Sequence, residues 1–145
     1  MIESIMLVDD EDLFHLVFED ACSLLDITLS LEALNSADEA EKMFKNWFEN
    51  GPIKERPECV FVDLNIIGST FDGIELIRRI NFQYGDNVVI GIISSSSEVS
   101  EQSKAVQAGA QFWIVKSDEI EPRLEEFLKD YDGYKNKTAT FKVYK

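Results

Sequence analysis

The chain has 145 residues, of which 45% are hydrophobic and 29% charged, the make-up of one folded domain rather than a disordered segment. Its net charge of −14, from 28 acids against 14 bases, repels DNA, RNA and anionic lipid and argues against direct nucleic-acid binding. Apolar runs stop far short of a membrane span, and no basic segment leads into an apolar stretch at the start, so neither membrane insertion nor export is expected and a cytoplasmic location follows.

Ser4–Val8 reads as a short apolar strand that runs into Asp9-Asp10. The acids from Asp9 to Asp12 then favour the positive end of a first helix, which by itself would explain them. In that helix Leu13, Val17, Ala21 and Leu24 recur at helical spacing, with Phe14 and Phe18 beside them, and His15 is expected on the helix surface. Ile27, Leu29, Leu31 and Ala33 alternate with Thr28, Ser30 and Glu32, the pattern of a half-exposed strand at a sheet edge. Ser36-Ala37-Asp38-Glu39 is a capping box, opening a helix whose face is Ala40, Phe44 and Trp47 and which Gly51-Pro52 ends. After Pro57 a third strand, Cys59–Val62, runs into Asp63. Asp72-Gly73 starts a helix carrying Leu76, Ile77 and Ile80, and the nearly all-apolar strand Val88–Ile93 runs into Ser94. The next helix, from about Glu98 to Ala108 and closed by Gly109, has a thin apolar stripe of Val99, Ala105, Val106 and Ala108. Phe112–Val115 forms the fifth strand and runs into Lys116, and a last helix carries Ile120, Leu124, Phe127, Leu128 and Tyr131 on one face. Beyond it the charge reverses through Lys135, Lys137, Lys142 and Lys145, so residues 1–131 read as the domain and 132–145 as a basic tail expected to fray. Cys22 and Cys59 have no ligand spacing and read as buried free thiols.

Five strands alternating with five helices imply an α/β fold, a (βα)5 doubly wound parallel five-stranded sheet of order 2-1-3-4-5 and flavodoxin-like topology. The first turn carries no glycine-rich loop, which excludes a dinucleotide or P-loop site there. In such sheets ligands bind beyond the carboxyl ends of the strands, where Asp9, Asp10, Asp63, Ser94 and Lys116 would converge. Three neighbouring carboxylates repel one another unless a cation intervenes, and Mg2+ suits an all-oxygen donor set. Asp63, on its own strand, is the candidate nucleophile for phosphoryl transfer, a reaction that needs alignment and charge neutralisation more than acid–base help. A metal, the Lys116 ammonium, and the Ser94 hydroxyl with backbone N–H groups could each cover one phosphoryl oxygen.

The run Leu7-Val8-Asp9-Asp10-Glu11, then Val62-Asp63, Asp72-Gly73, Ile93-Ser94, Gly109-Ala110 and Val115-Lys116, resembles the receiver domain of bacterial two-component response regulators from about Ile5 to Tyr131. The resemblance implies that a histidine kinase or histidine phosphotransfer protein phosphorylates Asp63. It also implies that Asp10, Asp63 and the Asn65 carbonyl bind Mg2+, with Asp9 acting largely through water. Ser94 would then be the switch hydroxyl, Lys116 the phosphate-binding lysine and Trp113 the switch aromatic, while side chains at Asn65 and Ser96 tune the lifetime of the phosphorylated state. Phosphorylation would draw Ser94 and then Trp113 inward and alter the surface of the fourth helix, fifth strand and fifth helix. Because the chain ends soon after the last helix, output is expected on an effector protein in trans.

Three features depart from the family's pattern: Ser117 where proline usually follows the lysine, a longer Leu64–Phe71 loop without its proline, and Ser95 where a small alanine or glycine is usual. The alternatives are a receiver-like binding module that takes no phosphate and a haloacid-dehalogenase-type phosphatase, whose Asp-x-Asp signature Asp63-Leu64-Asn65 faintly echoes.

Overall fold

The computed structural model describes residues 2, 4–25, 30–51, 56–117 and 119–145. Along the chain run β1 (Ser4–Val8), α1 (Asp12–Leu24), β2 (Ser30–Leu34), α2 (Ala37–Asn50), β3 (Cys59–Asp63), α3 (Gly73–Tyr84), β4 (Val89–Ser94), α4 (Val99–Ala108), β5 (Phe112–Val115), α5 (Ile120–Lys135) and β6 (Lys142–Tyr144). The sheet has the order β2-β1-β3-β4-β5-β6, and every pairing is parallel. The five expected strands therefore stand in the order the sequence implies, with β2 at one edge. Ile27, Thr28, Leu29 and Pro52 lie outside the described residues.

The sheet's two faces bury two separate cores, which is why the central strands are apolar at every position rather than alternating. Met6, Val8, Val60, Val62, Ile90, Ile92 and Trp113 face α2, α3 and α4. Ile5, Leu7, Cys59, Phe61, Val89, Ile93, Phe112 and Ile114 face α1 and α5. Cys22 and Cys59 are buried free thiols, and burial pushes the Cys22 thiol up to about 12.

The start signals act as read. Ser36 Oγ accepts from Glu39 N at 3.3 Å, and Asp72 Oδ1 accepts from Glu75 N at 2.8 Å. Gly109 ends α4 at φ +112, a left-handed conformation in which a side chain would be strained.

Two helix faces differ from expectation. In α1 the buried residues are Phe14, Phe18, Ala21 and Cys22, whereas Leu13 and Leu24 are exposed. Two apolar stripes compete on this helix, and the aromatic one wins because Phe18 meets Phe61 edge-on with centroids 5.1 Å apart. In α4 only Ala105 and Ala108 are buried; Val99 and Val106 face solvent.

The last segment is the main departure. Rather than stopping near Tyr131, α5 continues to Lys135, and its inner face gains Tyr134. The chain then turns through Lys137, at φ 60, and lays β6 along β5 in place of a frayed tail. Tyr144 is buried there against Phe127 and Tyr134.

Candidate phosphoryl-transfer site

Asp9, Asp10, Asp63, Ser94 and Lys116 all stand at or just past the carboxyl ends of β1, β3, β4 and β5. Register brings them together: Val8 pairs with Val62, Asp63 with Ile93 and Ser94 with Val115, while Lys116 N donates to Ser94 O at 2.8 Å. One carboxylate oxygen from each of Asp9, Asp10 and Asp63 falls within 4.8 Å of the other two.

The Lys116 ammonium is the hub. It lies 2.6 Å from Asp9 Oδ2, 3.3 Å from Asp63 Oδ2 and 3.2 Å from Glu11 Oε1, and 4.7 Å above the Phe14 ring. Burial works against the charged amine, but the hydrogen bond to Asp9 and the charges of Asp63 and Asp9 outweigh it and raise its pKa above the ordinary lysine value. Asp63 shows the reverse balance. Burial pushes it up, Lys116 pulls it down, Asp9 and Asp10 push it up again, and it reaches about 6.

The three acids are not alike. Asp9 is fully buried, with Oδ1 accepting from Glu11 N at 2.8 Å and Oδ2 ion-paired to the Lys116 ammonium at 2.6 Å. Asp10 is half-buried, and its Oδ2 accepts from Ile67 N at 3.3 Å. Asp10 and Asp63 are thus the carboxylates freer to take a cation. The donors are hard oxygens and the charge is strongly negative, so the residues fit Mg2+. Asn65 lies two residues beyond Asp63, and its side chain is exposed.

Around this centre the backbone is held by close contacts. A β-carbon on Gly73 would run into the Asp63 carbonyl, so the start of α3 can press against the end of β3 only through a glycine. The Leu64–Phe71 loop is pinned to α2: Ser69 Oγ accepts from Ala37 N at 2.9 Å, and Asp38 accepts from Thr70 N at 2.9 Å and from the Thr70 hydroxyl. The Lys116–Ser117 peptide is trans, as every described peptide bond is. Ser95 is exposed.

Ser94 is buried, and its Oγ accepts from Ser96 N at 3.4 Å. Trp113 is already fully buried here, with Nε1 donating to Ser96 O at 2.8 Å. Three supporting residues escaped the sequence reading. Arg123 donates to Val115 O at 2.6 Å and braces the chain just before Lys116. Phe14 floors the ammonium. His15 Nε2 meets the Asp9 carbonyl at 2.5 Å instead of facing only solvent. Spacing from Glu11 could have flagged Phe14 and His15, three and four residues on and so one helical turn away; Arg123 carried no signal.

Among the described residues no helix is long and apolar enough to cross a membrane. No curated protein matches the sequence. Among solved structures, NtrX from Brucella abortus superposes with a TM-score of 0.76 at 22% identity, over 94% of this chain; the chain spans only 28% of NtrX. The phosphorylated cyanobacterial phytochrome response regulator RcpA superposes at 0.72 with 18% identity, covering 97% of this chain and 98% of that one. The Mn2+-bound form of response regulator Rcp1 superposes at 0.69 with 20% identity, covering 95% and 97%. At these identities the likeness carries the fold alone. The sequence pattern of the response regulator receiver domain matches residues 5–127, so the chain belongs to the response regulator receiver domain family.

Proposed function

We propose that the chain is a phosphoacceptor signalling protein in which Asp63 takes a phosphoryl group from a histidine kinase or histidine phosphotransfer protein. The reading rests above all on the Lys116 ammonium, 2.6 Å from Asp9 and 3.3 Å from Asp63 at the strand ends. An Asp63 carboxylate oxygen attacks phosphorus, the P–N bond of phosphohistidine breaks, and the leaving imidazole keeps the electron pair and takes up a proton. Asp10 and Asp63, with the Asn65 carbonyl, would hold Mg2+, which neutralises charge on the transferring group when bound. Lys116 sits where it can pair with a second phosphoryl oxygen, and the Ser94 hydroxyl is the candidate donor to a third. Asp9 keeps Lys116 oriented from below, and side chains at Asn65 and Ser96 would tune how long the phosphoryl group survives. Output would run through the surface of α4, β5 and α5 to an effector protein, and a protein working this way belongs in the cytoplasm.

The thin buried stripe of α4, only Ala105 and Ala108, supports a movable output helix. Incubation with acetyl phosphate or phosphoramidate and Mg2+, followed by intact mass, tests the reading. One added phosphoryl group, absent in Asp63→Asn, is expected. No gain on the unaltered chain would leave it a plain binding module.

A further inference from the structure

The face read as the output surface is not open at β5, because β6 lies along it with Trp113 paired to Val143. Val143 and Phe141 pack against the core cluster that contains Trp113, Ala105 and Ala108. Without them β5 would be the sheet edge, and the indole would border solvent on that side. Its Nε1 donates to Ser96 O, and Ser96 N donates to Ser94 Oγ, so the indole joins β6 to the loop that carries the candidate switch hydroxyl.

The strand is fastened independently of that contact. Tyr144 turns to the other face of the sheet and donates to Asp130 Oδ2 at 2.7 Å, which leaves the Tyr134 hydroxyl to donate to Tyr144 at 2.8 Å. Lys142 lies 2.8 Å from Glu126 and 3.4 Å from Asp130. Upstream, the Lys137 ammonium donates to Gly85 O, Val88 O and Gln111 Oε1, and Thr138 N donates to Gly133 O. Anchors therefore flank an apolar cover at Phe141 and Val143.

We propose that β6 is a built-in strap that holds Trp113 in its inner position before Asp63 carries phosphate, so docking of the C-terminal segment biases the Ser94–Ser96 loop. The strap rests on the phosphoacceptor reading for its biological use, though its structural effect exists without phosphate. An outward swing of the indole would give a two-state element, and a cover packed beside the inner position would shift the population toward it.

The test uses the full chain with Trp47→Phe, which leaves Trp113 as the sole tryptophan, and acrylamide quenching of its emission. In this parent, quenching is expected to be weak and unchanged by beryllofluoride with Mg2+. In Phe141→Ala/Val143→Ala, which keeps the Tyr144 and Lys137 anchors, the quenching constant is expected to rise several-fold without the mimic and to fall again with it. A folded double variant, judged by cooperative melting, that quenches like the parent overturns the strap. Should the double variant fail to fold, Val143→Ala alone decides by the same comparison. If the indole opens in the variant but the mimic does not bury it again, the strap stands and the phosphoacceptor reading falls.

Discussion

Asp9 and Glu11 both reach the Lys116 ammonium, yet removing that ammonium would strand only one of them. The Glu11 side chain is 63% exposed and can turn to water, whereas Asp9 is wholly buried. Lys116→Met, measured in chelator, is therefore expected to cost about 3–5 kcal/mol in urea denaturation, the range for an uncompensated buried charge. Glu11→Gln should change stability by less than about 1 kcal/mol. Equal losses in the two variants would show that Asp9 finds another partner. Asp63 carries a second consequence. Burial lifts its pKa from 3.8 to about 6, so between those values the native state keeps a proton that the unfolded chain has released, and stability falls as pH rises. The shift corresponds to about 3 kcal/mol, reduced to about 1–2 kcal/mol by residual solvent access. Asp63→Asn should accordingly be the more stable protein at about pH 7–8 without divalent ions, with its advantage gone below about pH 4. A variant that follows the parent's pH profile throughout would contradict this balance of burial and charge.

The junction of β3 and α3 separates a cap from a close approach in neighbouring residues. Asp72 caps α3 through Glu75 N, and losing that bond in Asp72→Ala should cost about 1 kcal/mol while leaving Asp63 in place. Gly73→Ala forces a β-carbon against the Asp63 carbonyl, so about 1–3 kcal/mol of strain and a displaced β3 end are expected. The readouts differ: urea midpoints fall in both variants, but uptake of phosphate at Asp63 should slow only in Gly73→Ala. Most elements were legible because the apolar period switches cleanly between strands and helices. The inner face of α1 was not, since leucines and phenylalanines both recur at helical spacing and only the position of Phe61 in the neighbouring strand chooses between them. Strand β6 was hidden for another reason. Three residues of alternating character in a lysine-rich stretch carry no strand signal; their order comes from the long-range fit of Tyr144 beside Tyr134 and Asp130.

At the scale of the whole molecule, the site was legible because parallel strands of like direction must deliver their last residues to one edge of the sheet. The ranking of its acids was not, because it depends on which oxygens Lys116 and backbone N–H groups claim first. The same acids belong to a chain of net charge −14, and this makes ionic effects a test that can separate site from surface. Self-repulsion of that size weakens the compact state, and any salt should relieve it by screening. NaCl is therefore expected to raise the melting temperature gradually, with no dependence on Asp10 or Asp63. Mg2+ at equal ionic strength adds binding to the native acid cluster, worth about 2.7 kcal/mol at a hundred times its Kd, or about 5–10 °C for a chain of this size. That increment should saturate with Mg2+ concentration and disappear in Asp10→Asn, whereas the NaCl response persists. If Mg2+ and NaCl stabilise the unaltered protein equally at matched ionic strength, the three carboxylates do not hold the ion and the metal part of the proposal fails.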